Sequence, residues 1–272
     1  APQSAAHRMS EFDRGFAAMV AEMPCVQLGE VNEAAALQTR IDRKYVVALD
    51  LLDRLDFDEH VMVLEIDTRR HFRYATTYYD TKERDLYLDT AYRRPARFKV
   101  RIRSYVDSGL TLLEVKRKDG RSKTVKSRHP VATGEELSCL TPSMRAFVNA
   151  EVDTGLTDRL GIAATTRFNR TTAVDTVVGA RYTIDRNVSA DTPDGRVASL
   201  TDAAVVETKS SGGPTPFDRF LWSQNIRPAS FSKYCTAMAI LEPSLPANHW
   251  HRTLNRYFGR HEQSASHEET SG

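Results

Sequence analysis

The sequence has few cysteines, few tryptophans, no long apolar run and almost no net charge. Its three cysteines, Cys25, Cys139 and Cys235, stand far apart and form no CxxC pair. An odd number at such spacing argues against a disulfide framework or a zinc site and fits a reducing compartment. No stretch approaches the ~18 uncharged apolar residues of a membrane span. The opening residues contain no apolar core of a signal peptide. The expectation is a soluble, cytoplasmic protein with no membrane span of its own. Among the histidines, His249 and His251 lie two apart, but no carboxylate or cysteine stands at a spacing that would complete a metal site. Thirty-eight basic residues face 36 acidic ones, for a net charge of +2, so the global balance selects no partner.

What is present is enough to fold. The chain has 272 residues, 40% of them hydrophobic, which rules out wholesale disorder. No repeat and no linker divides it. The reading is one domain over residues 1–258, opening with a helix, and a polar disordered tail over 259–272.

Helical spacing of Phe12, Phe16, Met19, Val20 and Met23 predicts a first helix capped by Ser10 and ended by Pro24. A short helix is expected from Asp50, strands over 61–66 and 73–79, and a surface helix over 82–92. From Arg97 the texture changes. Residues 97–106 alternate between apolar and charged side chains, Asp107-Ser108-Gly109 marks a turn, and 111–118 alternate again. Asp119-Gly120 marks a second turn, and a third strand follows. The pattern is a three-stranded meander. Later come a helix begun by Thr141-Pro142 and two strands flanking Val178-Gly179-Ala180. A strand over 203–210, a helix begun by Thr215-Pro216 and a last helix from Ser232 complete the pass.

Side chains of a strand point alternately to its two faces. One face therefore carries Phe98, Val100 and Ile102, and the other Lys99, Arg101, Arg103 and Tyr105. Leu113 and Val115 oppose Glu114, Lys116 and Lys118. Tyr182 and Ile184 oppose Arg181, Thr183 and Asp185; Val206 and Thr208 oppose Val205, Glu207 and Lys209. Taken one strand at a time, this is a half-buried sheet with a solvated charged face. The charge density argues for more. Residues 93–128 hold thirteen Lys or Arg against three acids, and like charges across neighbouring strands destabilise a sheet unless an anion neutralises them. Glu114, Asp185 and Glu207 fall on the charged faces, each two residues from a Lys or Arg. A carboxylate among cations beside a polyanion site is what Mg²⁺ or Mn²⁺ needs, because these hard ions take oxygen ligands and bridge to phosphate. Apolar faces under helices with charges inward describe an α+β protein built on a closed antiparallel β-barrel with covering helices, its interior a basic tunnel for linear phosphates. Nucleic acid fits less well: single-strand binders interleave stacking aromatics with their cations, and only Tyr105 does so here. For Glu114 and Glu207 the competing reading is a structural ion pair; for Asp80 it is a helix N-cap.

Seven segments resemble the VTC domain, a polyphosphate polymerase domain of the triphosphate tunnel (CYTH-like) superfamily. They are Leu37–Tyr45 (LQTRIDRKY), Tyr78–Thr81 with Leu86-Tyr87, Lys99–Tyr105 (KVRIRSY), Leu113–Lys116 (LEVK), Lys123–Lys126 (KTVK), Val206–Lys209 (VETK) and Ser230–Tyr234 (SFSKY). They keep the family's order from about Leu37 to Leu241. The resemblance implies that Lys44, Arg101, Arg103, Lys116, Lys126, Arg170, Arg181 and Lys233 contact phosphates. Glu207 would hold the metal, with Asp185 a second candidate. Lys209 and Ser232 would lie nearby, and Ser232, Tyr105 and Glu114 are expected to bind substrate. It further implies ATP and inorganic polyphosphate as substrates, Mn²⁺ or Mg²⁺ as cofactor, and a membrane partner, if any, on a separate polypeptide. The activity implied is transfer of the terminal phosphate of ATP to a polyphosphate chain. The alternatives are a catalytically silent polyphosphate-binding module and a metal-dependent triphosphatase. Two departures matter. Arg40 stands where the triphosphatase branch has the first Glu of an ExExK strand, and Phe168 stands where the polymerases have a tyrosine.

Overall fold

The computed structural model describes residues 11–254 apart from 35–40, 56, 119–123, 133, 135–136, 153–154 and 252. The predicted tail over 259–272, the Ser10 cap and Arg40 lie outside the described residues.

Helix α1 (Glu11–Glu22), strand β1 (Cys25–Val26) and α2 (Leu28–Ala34) lead to β2 (Ile41–Ala48), α3 (Leu49–Leu52), β3 (Val61–Leu64) and β4 (Phe72–Asp80). Then come α4 (Asp85–Ala91) and the meander β5 (Arg97–Tyr105), β6 (Leu110–Lys118) and β7 (Thr124–Pro130). Helix α5 (Pro142–Glu151) precedes β8 (Gly161–Asp175), β9 (Ala180–Asp191), β10 (Val197–Ser199) and β11 (Ala203–Ser210), and α6 (Pro216–Ser223) and α7 (Lys233–Leu241) follow. The main ladder runs β2-β11-β9-β8-β4-β5-β6-β7 and every pair along it is antiparallel. No helix among the described residues is long and apolar enough to cross a membrane.

The ladder corrects the expected closed barrel. Among the described residues β2 and β7 are its unpaired ends. Two features keep these edges apart. β7 ends on Pro130, which has no N–H to donate. The edges also carry Lys44 and Lys126 on the charged face, a like-charge pairing that costs stability. The sheet nevertheless curls strongly. Five strand spacings of about 4.8 Å would put β2 and β5 some 24 Å apart in a flat sheet. Yet Lys44 Nζ on β2 donates to the Phe231 carbonyl at 3.3 Å, and Lys99 Nζ on β5 donates to Ser232 Oγ at 3.0 Å. Two adjacent residues thus reach both strands, which requires a deep trough with the charged face inside.

The convex face holds the core. α1, α3 and α6 cover Tyr45, Val47, Tyr182, Ile184, Ala204 and Val206. α5 covers Phe98, Val100, Ile102, Leu113 and Val115 with Met144 and Val148. Each fully buried Val, Ile, Leu or Phe contributes about 1.5–3 kcal/mol, so this alternation fixes which face turns inward. Caps set the helices. Thr141 accepts from Met144 N–H, and Thr215 and Asp218 form a capping box behind Pro216. Buried Asp218 also accepts from Tyr45 and Thr208 hydroxyls at 2.6 Å each, tying α6 to β2 and β11. α4 differs from the expected surface helix, since Leu86 and Tyr87 are buried. Asp80 does act as a cap: its carboxylate accepts from the N–H groups of Leu86 and Tyr87 at 2.9 Å and from the Tyr234 hydroxyl at 2.5 Å.

Candidate functional site

Strand register sets the inner face. Lys44 pairs with Glu207, Lys209 with Asp42 and Arg181, and Asp185 with Val205 and Arg170. Arg101 pairs with Tyr78 and Glu114, and Lys116 with Lys99 and Lys126. Parity carries this pattern from strand to strand, so the predicted site residues on β2, β5, β6, β7, β8, β9 and β11 share the trough. Lys233 enters from the first turn of α7.

Three carboxylate centres organise the cations. Glu114, with no exposed side-chain surface, lies 2.8 Å from Arg101, 3.4 Å from Arg128 and 3.9 Å from Arg103, and also pairs with Lys126. Burial raises its pKa, but the attraction of Arg101, Arg103 and Lys126 prevails and holds it down at about 2. Asp185 takes a two-pronged grip from Arg170, Nε at 2.6 Å and Nη2 at 2.8 Å, and pairs with Lys233. Burial opposes its charge, yet Arg170 and Lys233 keep it below the usual range. Glu207 and Asp42 bracket Lys209 Nζ at 2.7 and 2.8 Å. Against burial, Lys44 and Lys209 hold Glu207 well below the usual carboxylate range.

The cations respond in turn. Lys126 is pushed down to about 7, by burial and by Arg101 and Arg103 against the pull of Glu114. Lys116 falls to about 8, through burial and repulsion from Lys44 and Arg101, with Glu207 opposing. It remains open to water, as a residue lining a channel does. That Lys116 on β6 senses Lys44 and Glu207 on the far strands also places both walls around one interior. Tyr78 is buried, which raises its pKa, but Arg101, Arg103, Lys233 and Lys99 draw it below its ordinary value. The interior is strongly positive.

Several predicted residues have more specific placements. Asp185, expected as a metal ligand, pairs with both Arg170 and Lys233. Ser232 caps α7, accepting from Cys235 N–H at 3.3 Å, and also accepts from Lys99. Tyr105 packs on Tyr74 with ring centroids 5.0 Å apart. Tyr74 itself stacks on Phe168 at 5.2 Å, and Arg170 lies over both rings at 5.2 Å. Phe168, Val46, Val205 and Phe231 fill part of the interior beside Asp185 with apolar side chains. Sequence reasoning missed Asp42, Tyr74, Tyr78 and Arg128 as inner-face residues. The signal was available for two of them: Asp42 stands two positions from Lys44 and Arg128 two from Lys126, whereas no residue of β4 had been assigned a face that could place Tyr74 and Tyr78.

A divalent cation would find no complete protein cage, because no three Asp, Glu, His or Cys side chains gather among the described residues. Mg²⁺ commonly takes one or two carboxylates and completes its shell with water and phosphate. Glu207 and Asp42 fit that pattern: hard carboxylate oxygens that flank one position, now held by Lys209 Nζ.

No curated protein matches the chain. Among solved structures it resembles HpAC1 from Hippeastrum, reported with a dominant triphosphatase activity (14% identity, TM-score 0.45, covering 78% of this chain and 100% of that one). It also resembles the PH1819 protein of Pyrococcus horikoshii OT3 (10% identity, TM-score 0.40, 72% and 94%). A Pyrococcus furiosus protein is a further likeness (11%, 0.36, 71% and 98%). Likenesses this distant decide neither fold nor activity. The family model of the VTC domain matches residues 39–242, which span the trough from β2 to α7, and the chain therefore belongs to the VTC domain family.

Proposed function

We propose that the protein is a polyphosphate polymerase-type phosphotransferase, which moves the terminal phosphate of ATP onto a polyphosphate chain held in the basic trough. The observation that carries this reading is the inner face itself, where Lys and Arg side chains from β2, β5, β6, β7, β8, β9 and β11 converge around the carboxylates of Asp42, Glu114, Asp185 and Glu207. Phosphoryl transfer needs little more than positioning and charge neutralisation. A terminal oxygen of the acceptor chain forms the new bond to the γ-phosphorus, the bond from that phosphorus to the β-γ bridging oxygen breaks, and ADP leaves with the electron pair. The acceptor oxygen is already ionised, so no general base is required. Arg101, Arg103, Lys126 and Lys116 would align the chain from one wall; Arg170, Lys233, Lys44 and Arg181 would grip the nucleotide phosphates from the other. Lys209 would act beside Glu207. Bound Mg²⁺ or Mn²⁺ would add Lewis-acid neutralisation of the transferring group, with Glu207 and Asp42 as its protein ligands.

The test is incubation with ATP and Mn²⁺ or Mg²⁺, following ADP, free phosphate and polyphosphate together. ADP appearing with polyphosphate is the expected result. Free phosphate alone would replace this reading with a triphosphatase. Tight polyphosphate binding without turnover would replace it with a binding module.

A further inference from the structure

Beyond Glu114 the inner face of the meander continues as a stack of like-charged rungs. Lys99 faces Lys116, which faces Lys126; one rung further out, Arg97 faces Lys118. Among the described residues, Lys126 is the sole member with an ion-pair carboxylate, Glu114. Arg97 donates to the Arg94 carbonyl at 2.6 Å, and Lys99 donates to Ser232 Oγ. Directly opposed like charges destabilise an antiparallel pair. The other wall neutralises its rungs, since Lys44 faces Glu207, and Lys209, opposite Arg181 on one side, faces Asp42 on the other. A run of unneutralised rungs is stable when an anion lies along it.

We propose that Arg97 and Lys118, with Lys99 behind them, form an outer subsite that holds the distal phosphates of a long linear polyphosphate. The inference rests on the polyphosphate reading of the trough and adds chain-length selectivity to it. The rungs run in line from Arg101 and Glu114 to the strand ends, so a chain gripped at Arg101 continues over Lys99 and Lys116 and leaves across Arg97 and Lys118. A triphosphate held at the inner cations is too short to use them. Nucleic acid is the poorer occupant. The rung face carries Arg97, Lys99, Lys116, Lys118, Thr124 and Lys126 and offers no aromatic ring on which a base could stack.

The experiment compares tripolyphosphate with long-chain polyphosphate, binding each to the full chain and to the double variant Arg97→Gln/Lys118→Gln. Expected is unchanged affinity for tripolyphosphate and a loss of roughly tenfold or more for the long chain, with a shallower dependence on salt. Without ligand the variant should melt no lower than the parent, because two like charges have been removed. Equal losses for both ligands, or none for either, would overturn the subsite. Single-stranded DNA displacing the long chain as well as polyphosphate does would overturn its chemical assignment. A parent protein that binds neither phosphate ligand would sink the trough reading itself, and this inference with it.

Discussion

The two walls of the trough are built by the same alternation and end with different charge. On β2, β9 and β11 the inner face sets Lys44, Arg181 and Lys209 against Asp42, Asp185 and Glu207, three cations to three carboxylates. On β5, β6 and β7 it sets Arg97, Lys99, Arg101, Arg103, Lys116, Lys118, Lys126 and Arg128 around Glu114, the one carboxylate on that face among the described residues. On the proposed reading the near-neutral wall would take a divalent cation together with phosphate through Asp42 and Glu207, the two carboxylates that flank Lys209. The cationic wall can accept only anion. A chain of phosphates lying between them would meet neutralising charge on one side and metal ligands on the other. On the proposed function, catalysis and retention would belong to different walls.

The largest break in this comparison comes from Glu207→Gln. It removes a metal ligand from the near-neutral wall and leaves the cationic wall intact. Metal-dependent turnover should fall on the order of a thousandfold, the several kcal/mol that a metal supplies to the transferring phosphate. Polyphosphate binding measured without metal should be retained or strengthened. Turnover close to that of the parent would remove Glu207 from the metal site.

Glu114→Gln probes the opposite wall. The buried carboxylate is the counter-ion of Arg101, Arg103, Lys126 and Arg128, and breaking a buried ion pair from one side costs about 3–5 kcal/mol. The unliganded variant should melt lower, and polyphosphate should restore more of its melting temperature than it adds to the parent. Thermal unfolding with and without the ligand decides this. A variant destabilised equally in both conditions would mean that phosphate does not take the place of Glu114.

Most of this division could be read from residue parity. Phe98-Lys99-Val100-Arg101-Ile102-Arg103 declares two faces, and helices with apolar stripes declare which face is covered. The meander, the long hairpin of β8 and β9, and the caps at Thr141, Thr215 and Ser232 follow from the same local rules. Closure could not be read this way. Whether β2 meets β7 depends on curl and edge chemistry, which alternation does not encode. The role of Asp185 was hidden for a related reason. A carboxylate two residues from a cation reads alike as a metal ligand or as a counter-ion, and the ion pairs of Asp185 come from elsewhere in the chain, Arg170 by the β8–β9 register and Lys233 from the start of α7. Asp42 and Arg128 were legible by parity but carried no local pattern that singled them out.

The smallest expected effect is also the one that separates the walls by pH. Lys126 and Lys116 sit at about 7 and about 8 in the fold, below the usual lysine value near 10.5. Between those values the unfolded chain binds more protons than the folded one, so stability without ligand rises with pH through this window. Below about pH 7 both lysines are charged in the fold, and their mutual repulsion and burial weigh fully against it. Polyphosphate cancels this trend. It favours the charged lysines, so binding takes up protons and affinity falls as pH rises past 7 to 8. Melting temperatures across pH 6–9 should therefore rise with pH without polyphosphate and run nearly flat at saturating polyphosphate, because the lysines are then charged in the folded and unfolded states alike, and Lys126→Met should reduce the unliganded slope. Glu114, held at about 2, stays ionised across that range, and its contribution is lost only as pH falls below the ordinary carboxylate value toward 2. Parallel slopes would place the titrating groups outside the phosphate path and leave the cationic wall with a structural role alone.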